Sequence, residues 1–242
     1  MAERLGTPAG FGRVPAPKGS FAHWLRHLPV APENTPVTTA DSKIVLAGDH
    51  PNLAAVVALQ PHHRKLLCSA NMMVRLRAEY CWSARRPEAL SFHFTSGQLA
   101  GWLAWASGER PVANGRSIRF AKTSITDESR ESFCGYLETL FGFTSSMSLL
   151  DDTRSVQDGT IAAGDILLRP GRGGHALMVL DVATNARRQV LLLLGEGGSP
   201  AQTFHVLCND HGSPWFPITQ SRSVDFGRRG VFGLKQLRRW VR

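Results

Sequence analysis

Three short apolar segments in the second half of the chain constrain its fold more than any other feature. They span residues 166–168, 175–182 and 190–194. Gly171-Arg172-Gly173-Gly174 separates the first two, and Thr184-Asn185-Ala186-Arg187 separates the last two. Connections this short favour hairpins, because a crossover between parallel strands needs a dozen or more residues. The sequence therefore predicts three neighbouring antiparallel strands.

Helical patterns precede these strands. Ser20 is a good N-cap for a short amphipathic helix over 20–28, and apolar residues recur at helical spacing over 63–83 and 127–143. If Pro61 occupies the first helical position, Cys68 lies two turns inside the second helix. Helices followed by an antiparallel meander predict an α+β fold.

The first part of the chain differs in composition from the rest. Residues 1–40 are rich in Pro and Gly and are interpreted as an N-terminal extension with one short helix. Residues 41–242 are predicted to form a single α+β domain, since the chain of 242 residues is 43% hydrophobic and suits one large core.

Charge and hydropathy restrict the setting in which such a chain works. It carries 28 Lys+Arg against 19 Asp+Glu, a formal net charge of +9. No apolar run approaches the ~18 residues of a membrane span, and the first residues lack the apolar stretch of a signal peptide. As written, the chain is expected to be cytoplasmic. The basic stretch 226–242 is interpreted as a packed helix, with binding to anionic polymers as the alternative, and nucleic acid is an unlikely partner.

The cysteines and histidines indicate neither a disulfide framework nor a metal centre. Cys68, Cys81, Cys134 and Cys208 are sparse and widely spaced, and no Cys-x-x-Cys pair occurs. The pairs His23/His27 and His62/His63 are interpreted as exposed side chains. The glycine-rich segment at 171–174 precedes a strand rather than a helix, which excludes a phosphate-binding loop. No cofactor and no metal are therefore expected.

One constellation indicates catalytic chemistry. Gly164-Asp165-Ile166 begins one predicted strand, and Gly174-His175-Ala176 begins the next. This pattern resembles the second half of papain-like hydrolases of the NlpC and CHAP types. The resemblance implies a nucleophilic cysteine upstream on a helix, a catalytic histidine at the strand start, and an orienting polar residue on the following strand. In this sequence those residues are Cys68, His175 and Glu196.

A set of short segments spread along nearly the whole chain carries a second resemblance. They include Gly19-Ser20-Phe21, Cys68-Ser69-Ala70, Phe92-His93-Phe94, Gly174-His175-Ala176 and Ser213-Pro214-Trp215. In these segments the chain resembles an uncharacterised bacterial family, a domain of unknown function often found on exported proteins and lipoproteins. The resemblance implies cysteine at position 68 and histidine at position 175, with export or a periplasmic location. The chain departs from the family at Leu67 and Glu196, where glutamine is more usual.

The sequence leaves open two functions from different classes. The first is a papain-like cysteine hydrolase that cleaves peptide or cell-wall amide bonds, with Cys68 as nucleophile, His175 as base and Glu196 orienting the imidazole. The second is a non-catalytic binding or envelope-associated module of the same fold. In that case Cys68 is a small buried hydrophobe, His175 is bonded to a loop, and Glu196 is an exposed turn carboxylate.

Overall fold

The computed structural model of the protein describes residues 1–59, 66–114, 117–157, 159–226 and 230–241. It contains five α-helices, 17 short strands and two 3-10 turns within these ranges. The helices are α1 Phe21–Arg26, α2 Ser69–Ser83, α3 Trp102–Ala106, α4 Arg130–Phe143 and α5 Leu149–Asp152. The strands are β1 Gly12–Arg13, β2 Val37–Thr38, β3 Ile44–Leu46, β4 Leu53–Val56, β5 Ser91–His93, β6 Leu99–Gly101, β7 Glu109–Asn114, β8 Ser117–Lys122, β9 Thr153–Ser155, β10 Ile166–Arg169, β11 His175–Thr184, β12 Val190–Glu196, β13 His205–Leu207, β14 Trp215–Pro217, β15 Ser223–Asp225, β16 Val231–Gly233 and β17 Leu237–Trp240.

A nine-stranded antiparallel sheet organises the molecule. Its strands follow the order β4-β13-β12-β11-β10-β17-β9, with β1 also paired to β11 and β14 to β12. In the centre, Leu168 pairs with Ala176 and Leu177 pairs with Glu196. The prediction of three neighbouring antiparallel strands over 166–194 is confirmed, and the fold is a mixed α/β arrangement around a large antiparallel sheet.

Each face of the sheet carries its own hydrophobic core. Met178, Leu180 and Leu193 point to the side covered by α1 and α2. Leu177 and Leu194 point to the opposite side, where the small β15–β16 hairpin covers them. Both faces of β11 and β12 are therefore buried, which explains why these strands are continuously apolar rather than alternating.

The predicted helices are present with corrected starts. Helix α2 begins at Ser69 rather than at residue 63, and Pro61, His62 and His63 lie outside the described residues. The chain is extended at Cys68, with φ −63° and ψ 172°, which makes Cys68 the N-cap. The buried Asn71 amide fixes this approach by donating to the Leu66 carbonyl at 2.6 Å.

Helix α4 also starts later than predicted. It begins at Arg130, and Ser129 is its N-cap, with Oγ accepting a bond from the Ser132 N–H at 3.1 Å. Asp127 precedes the helix and accepts a bond from the Ser129 N–H at 2.9 Å. A short polar side chain that bonds the backbone in this way favours a turn over another helical residue.

The predicted C-terminal helix is wrong. The segment forms β16, a 3-10 turn over Leu234–Gln236, and β17. Strand β17 lies between β10 and β9, so its backbone groups complete the sheet, and Leu237 enters the core on the β15–β16 side. Pairing with two strands outweighed the helix-like apolar spacing of the segment. Arg228, Arg229 and Arg242 lie outside the described residues.

Residues 1–40 are joined to the sheet by a buried ion-pair cluster. The predicted short helix is present as α1, capped by Ser20, and its Leu25 is fully buried. Asp181 of β11 is also fully buried and accepts bonds from Arg13 of β1 and from Arg26, whose Nη2 lies 2.7 Å away. We call Arg13, Arg26 and Asp181 the Asp181 cluster. It holds two separate N-terminal elements on the central strand of the sheet.

Among the helices in the described residues, none is long and apolar enough to cross a membrane.

Candidate active site

His175 and Glu196 form a hydrogen-bonded pair at one end of the sheet. His175 is the first residue of β11, Glu196 is the last residue of β12, and His175 Nε2 lies 2.8 Å from Glu196 Oε2. A carboxylate only accepts hydrogen bonds, so Nε2 carries the proton and Nδ1 is the acceptor nitrogen of the neutral ring. The His175 side chain is 32% exposed, against 13% for Glu196. Glu196 therefore fixes the tautomer in which Nδ1 is the nitrogen that could act as a general base.

Two glycines make this pairing possible. A Cβ at Gly174 would meet the Ser146 hydroxyl and would lie 2.8 Å from the Arg169 carbonyl oxygen. A Cβ at Gly195 would lie 2.6 Å from Phe204 Cζ. Each glycine directly precedes one member of the pair, so close packing at these positions sets the backbone from which His175 and Glu196 project.

A third side chain, His205, joins the pair and was missed by sequence reasoning. It begins β13, is fully buried, and places Nε2 3.5 Å from Glu196 Oε1. Its Nδ1 lies 3.2 Å from the Thr203 carbonyl oxygen. Glu196 thus lies between an exposed and a buried histidine. The only sequence signal was a polar residue within the short apolar segment Phe204–Leu207, which is too weak without the strand register.

The two histidines control the charge of Glu196. Burial of the carboxylate by itself raises the Glu196 pKa. The hydrogen bond from His175 and the nearby His205 ring together lower this pKa by a larger amount. The net result is a Glu196 pKa of about 2, against its usual 4.5. Glu196 is therefore ionised at any pH at which the imidazole could act as a base.

We predict that Glu196 makes the free energy of unfolding fall as the pH is lowered through the acid range. A folded-state pKa below the unfolded one means that the carboxylate stabilises the fold above pH ~4.5, and that this contribution disappears as the pH falls toward 2. The lowering corresponds to at most about 3 kcal/mol. Urea unfolding of wild type and Glu196→Gln should give a difference in unfolding free energy that is largest above pH 5 and shrinks steadily below pH 4.5. A constant difference down to pH 2.5 would show that Glu196 is not held as a carboxylate by its neighbours.

Cys68 is the one cysteine at a helix N-terminus. It is partly exposed, makes no capping hydrogen bond through its side chain, and precedes the 15-residue helix α2. It directly precedes the first turn of α2, whose backbone N–H groups lack intrahelical partners. Burial raises the pKa of the Cys81 and Cys208 thiols.

Cys68 lies at the same end of the sheet as the His175–Glu196 pair. A Cβ at Gly197, the residue after Glu196, would lie 3.4 Å from Met72 Cβ and 3.8 Å from the Leu67 carbonyl oxygen. The start of α2 is therefore adjacent to the end of β12. Cys68 itself packs against the core on the α2 side. His175 lies toward the opposite side, with its ring 6.5 Å from that of Phe232.

The structure thus brings two of the three predicted site residues into direct contact. His175 and Glu196 are hydrogen-bonded, and His205 extends the pair. Cys68 shares the same end of the sheet but approaches it from the α2 side. Proton transfer between Cys68 and His175 would have to take place around the end of the sheet.

Comparison with known proteins places the chain in a family. The model of DUF4846, described as a domain of unknown function, matches residues 1–239. The chain belongs to the DUF4846 family. No curated protein and no solved structure matches it. The expected membership in an uncharacterised domain family is confirmed.

Leu67 limits which groups of this DUF4846 domain could stabilise an oxyanion formed when a nucleophile at Cys68 attacks a carbonyl group. Its side chain is buried and borders a small cavity of about 30 Å³, together with Arg75 and Gln202. An apolar side chain there supplies no hydrogen-bond donor. The backbone N–H of Cys68 donates to the Leu66 carbonyl at 2.9 Å. The remaining donors near Cys68 are the N–H groups of the first turn of α2, which have no intrahelical partner.

The described part of this DUF4846 domain contains no cluster of three or more His, Cys, Asp or Glu side chains arranged to hold a metal ion. The hydrogen bond between His175 and Glu196 supports proton transfer at the imidazole, because a histidine oriented by a carboxylate can accept and return a proton near neutral pH.

Proposed function

We propose that this DUF4846 domain is a cysteine hydrolase of amide bonds in peptides or cell-wall peptides, similar in plan to papain-like hydrolases of the NlpC and CHAP types. One observation carries the proposal. The Nε2 of His175 is bonded to Glu196 at 2.8 Å, which leaves Nδ1 to act as base at the sheet end where Cys68 begins α2. A strand-end histidine with an ionised partner and a helix-start cysteine are the groups that this chemistry requires.

The reaction would proceed in two halves. The Cys68 thiol gives its proton to His175 Nδ1, and the thiolate attacks the amide carbonyl carbon to form a C–S bond. The imidazolium then protonates the amide nitrogen as the C–N bond breaks and the amine leaves. In the second half, water gives a proton to Nδ1 and its oxygen attacks the thioester carbon, the C–S bond breaks to release the acid, and the imidazolium returns its proton to the Cys68 sulfur. Glu196 stays ionised throughout and stabilises the imidazolium.

The reactivity of the four cysteines tests this assignment. At pH 6 a thiol-alkylating reagent such as iodoacetamide should modify Cys68 well ahead of Cys81, Cys134 and Cys208, because in the proposed mechanism His175 accepts the Cys68 proton and so supplies the reactive thiolate. Peptide mapping by mass spectrometry after timed quenching measures the four rates. Cys134, which is also partly exposed, is the matched control for accessibility. Modification of Cys68 no faster than Cys134 would count against the hydrolase.

A non-catalytic binding module is the second candidate. The observation in its favour is that Cys68 packs with the core on the α2 side, whereas the His175 ring lies toward the Phe232 side. If the protein is a binding module, alkylation of Cys68 at pH 6 should be slow, and the protein should bind soluble cell-wall fragments with measurable affinity. If it is a hydrolase, alkylation of Cys68 should be fast, and amine should be released from the same fragments.

A further inference from the structure

We propose that Arg169 binds a carboxylate of the substrate, so that the preferred substrates are peptides with a free carboxylate close to the cleaved amide. This inference rests on the proposed function, because it places the carboxylate beside the general base. It assigns a substrate class and a specificity-determining residue.

Arg169 and His175 are directly opposite each other across two strands. Arg169 ends β10, His175 begins β11, and the two are register partners. Partners in an antiparallel pair project from the same face with Cβ atoms about 5 Å apart. Arg169 is therefore the register partner of the base on β10, as Glu196 is its hydrogen-bond partner on β12, and a ligand bound at His175 lies beside Arg169.

Phe232 holds the guanidinium in place. The Arg169 Cζ lies 3.9 Å from the centre of the Phe232 ring, and the same ring lies 6.5 Å from the His175 ring. Arg169 Nη2 also donates to the Val231 carbonyl. Stacking and one hydrogen bond reduce the freedom of a long side chain, so less conformational entropy is lost when an anion binds.

No carboxylate lies within ion-pair distance of Arg169 among the described residues, whereas Arg26 is paired with Asp181, Arg130 with Glu79 and Arg239 with Asp165. Arg110 and Arg238 are also ordered without such a partner, but of these three arginines Arg169 is the one paired in register with His175. An ordered guanidinium that no protein carboxylate neutralises is a strong site for an external carboxylate. Arg172, exposed in the turn between β10 and β11, adds a second positive charge nearby. For an amide hydrolase, the anion that a peptide substrate carries is its free carboxylate.

Binding to a catalytically dead protein tests this inference independently of hydrolysis. In a Cys68→Ala background, calorimetry would compare an N-acetylated tripeptide ending in a free carboxylate with the same peptide ending in an amide. We expect the carboxylate form to bind about tenfold tighter or better, consistent with a charge-assisted bond. Arg169→Met keeps the apolar stem on Phe232 and should remove this preference, whereas Arg169→Lys should keep part of it.

Arg187→Met provides the matched control. Arg187 is an exposed arginine in the turn between β11 and β12, and its replacement should leave the preference unchanged. In the active protein, Arg169→Met should raise KM for the carboxylate peptide with little change in kcat, which a merely structural role would not do. Equal affinity for the two peptides, binding of neither, or a preference that survives Arg169→Met would overturn the inference. If the protein does not hydrolyse amides but Arg169 does bind a carboxylate, calorimetry would still show tighter binding of the carboxylate peptide than of the amide peptide.

Discussion

Replacing Cys68 with serine should abolish amide hydrolysis and leave the protein at least as stable as the wild type. The Cys68 side chain makes no capping bond to α2, whereas serine is among the best N-cap residues and accepts a bond from the first turn. A hydroxyl is a far weaker nucleophile than a thiolate at neutral pH. We expect a rate loss of about 10⁶-fold, comparable with the loss of the nucleophile in a serine hydrolase. Amine release and thermal unfolding measure the two effects separately.

His175→Ala should cause a similar loss of activity, and the double variant should be no worse than either single variant, because the two groups act as one unit. Glu196→Ala should be milder, since orienting a base contributes less than supplying it. Losses that multiply in the double variant would show that Cys68 and His175 act independently. A large fall in melting temperature for Cys68→Ala alone would identify Cys68 as a core residue.

Asp181→Ala should be strongly destabilising. Asp181 is fully buried, and its removal leaves Arg13 and Arg26, each less than one-fifth exposed, without their carboxylate. Breaking a buried ion pair in this way costs about 3–5 kcal/mol. For a chain of this length the melting temperature should fall by roughly 10 °C. Residues 1–40 should become the first site of limited proteolysis.

An exposed ion pair provides the matched control. Arg130 and Glu79 lie 2.7 Å apart, with side chains 41% and 17% exposed, whereas Asp181 is only 1% exposed. Glu79→Ala should therefore cost less than ~1 kcal/mol. If Asp181→Ala were equally mild, the Asp181 cluster would not be what holds α1 and β1 on the sheet.

The central strands and the His175–Glu196 pair could be predicted because the sequence encodes them locally. Short apolar segments joined by Gly and Asn turns allow few alternatives to a meander. A histidine that begins one strand and a glutamate that ends the next are then brought close by the register itself. Two polar residues at the same end of adjacent antiparallel strands will usually lie near each other.

The features that sequence reasoning missed depend on contacts between distant segments. His205 reaches Glu196 only because β13 returns to pair with β12, which no local pattern indicates. The apolar residues after 230 match helical spacing, yet β17 forms because β10 and β9 offer unpaired edges on both sides. The start of α2 depends on Asn71, which bonds the carbonyls of Leu66 and Phe141.

The most direct test of the hydrolase is the pH dependence of Cys68 alkylation with and without His175. Rates of iodoacetamide modification at Cys68 between pH 5 and 9 report the fraction of thiolate at each pH. If His175 accepts the Cys68 proton, the wild type should react rapidly at pH 6. His175→Ala should then lose most of that rate at pH 6 and approach the wild type only near pH 9. Superimposable profiles for the two proteins would contradict the account, because Cys68 and His175 would then not share a proton.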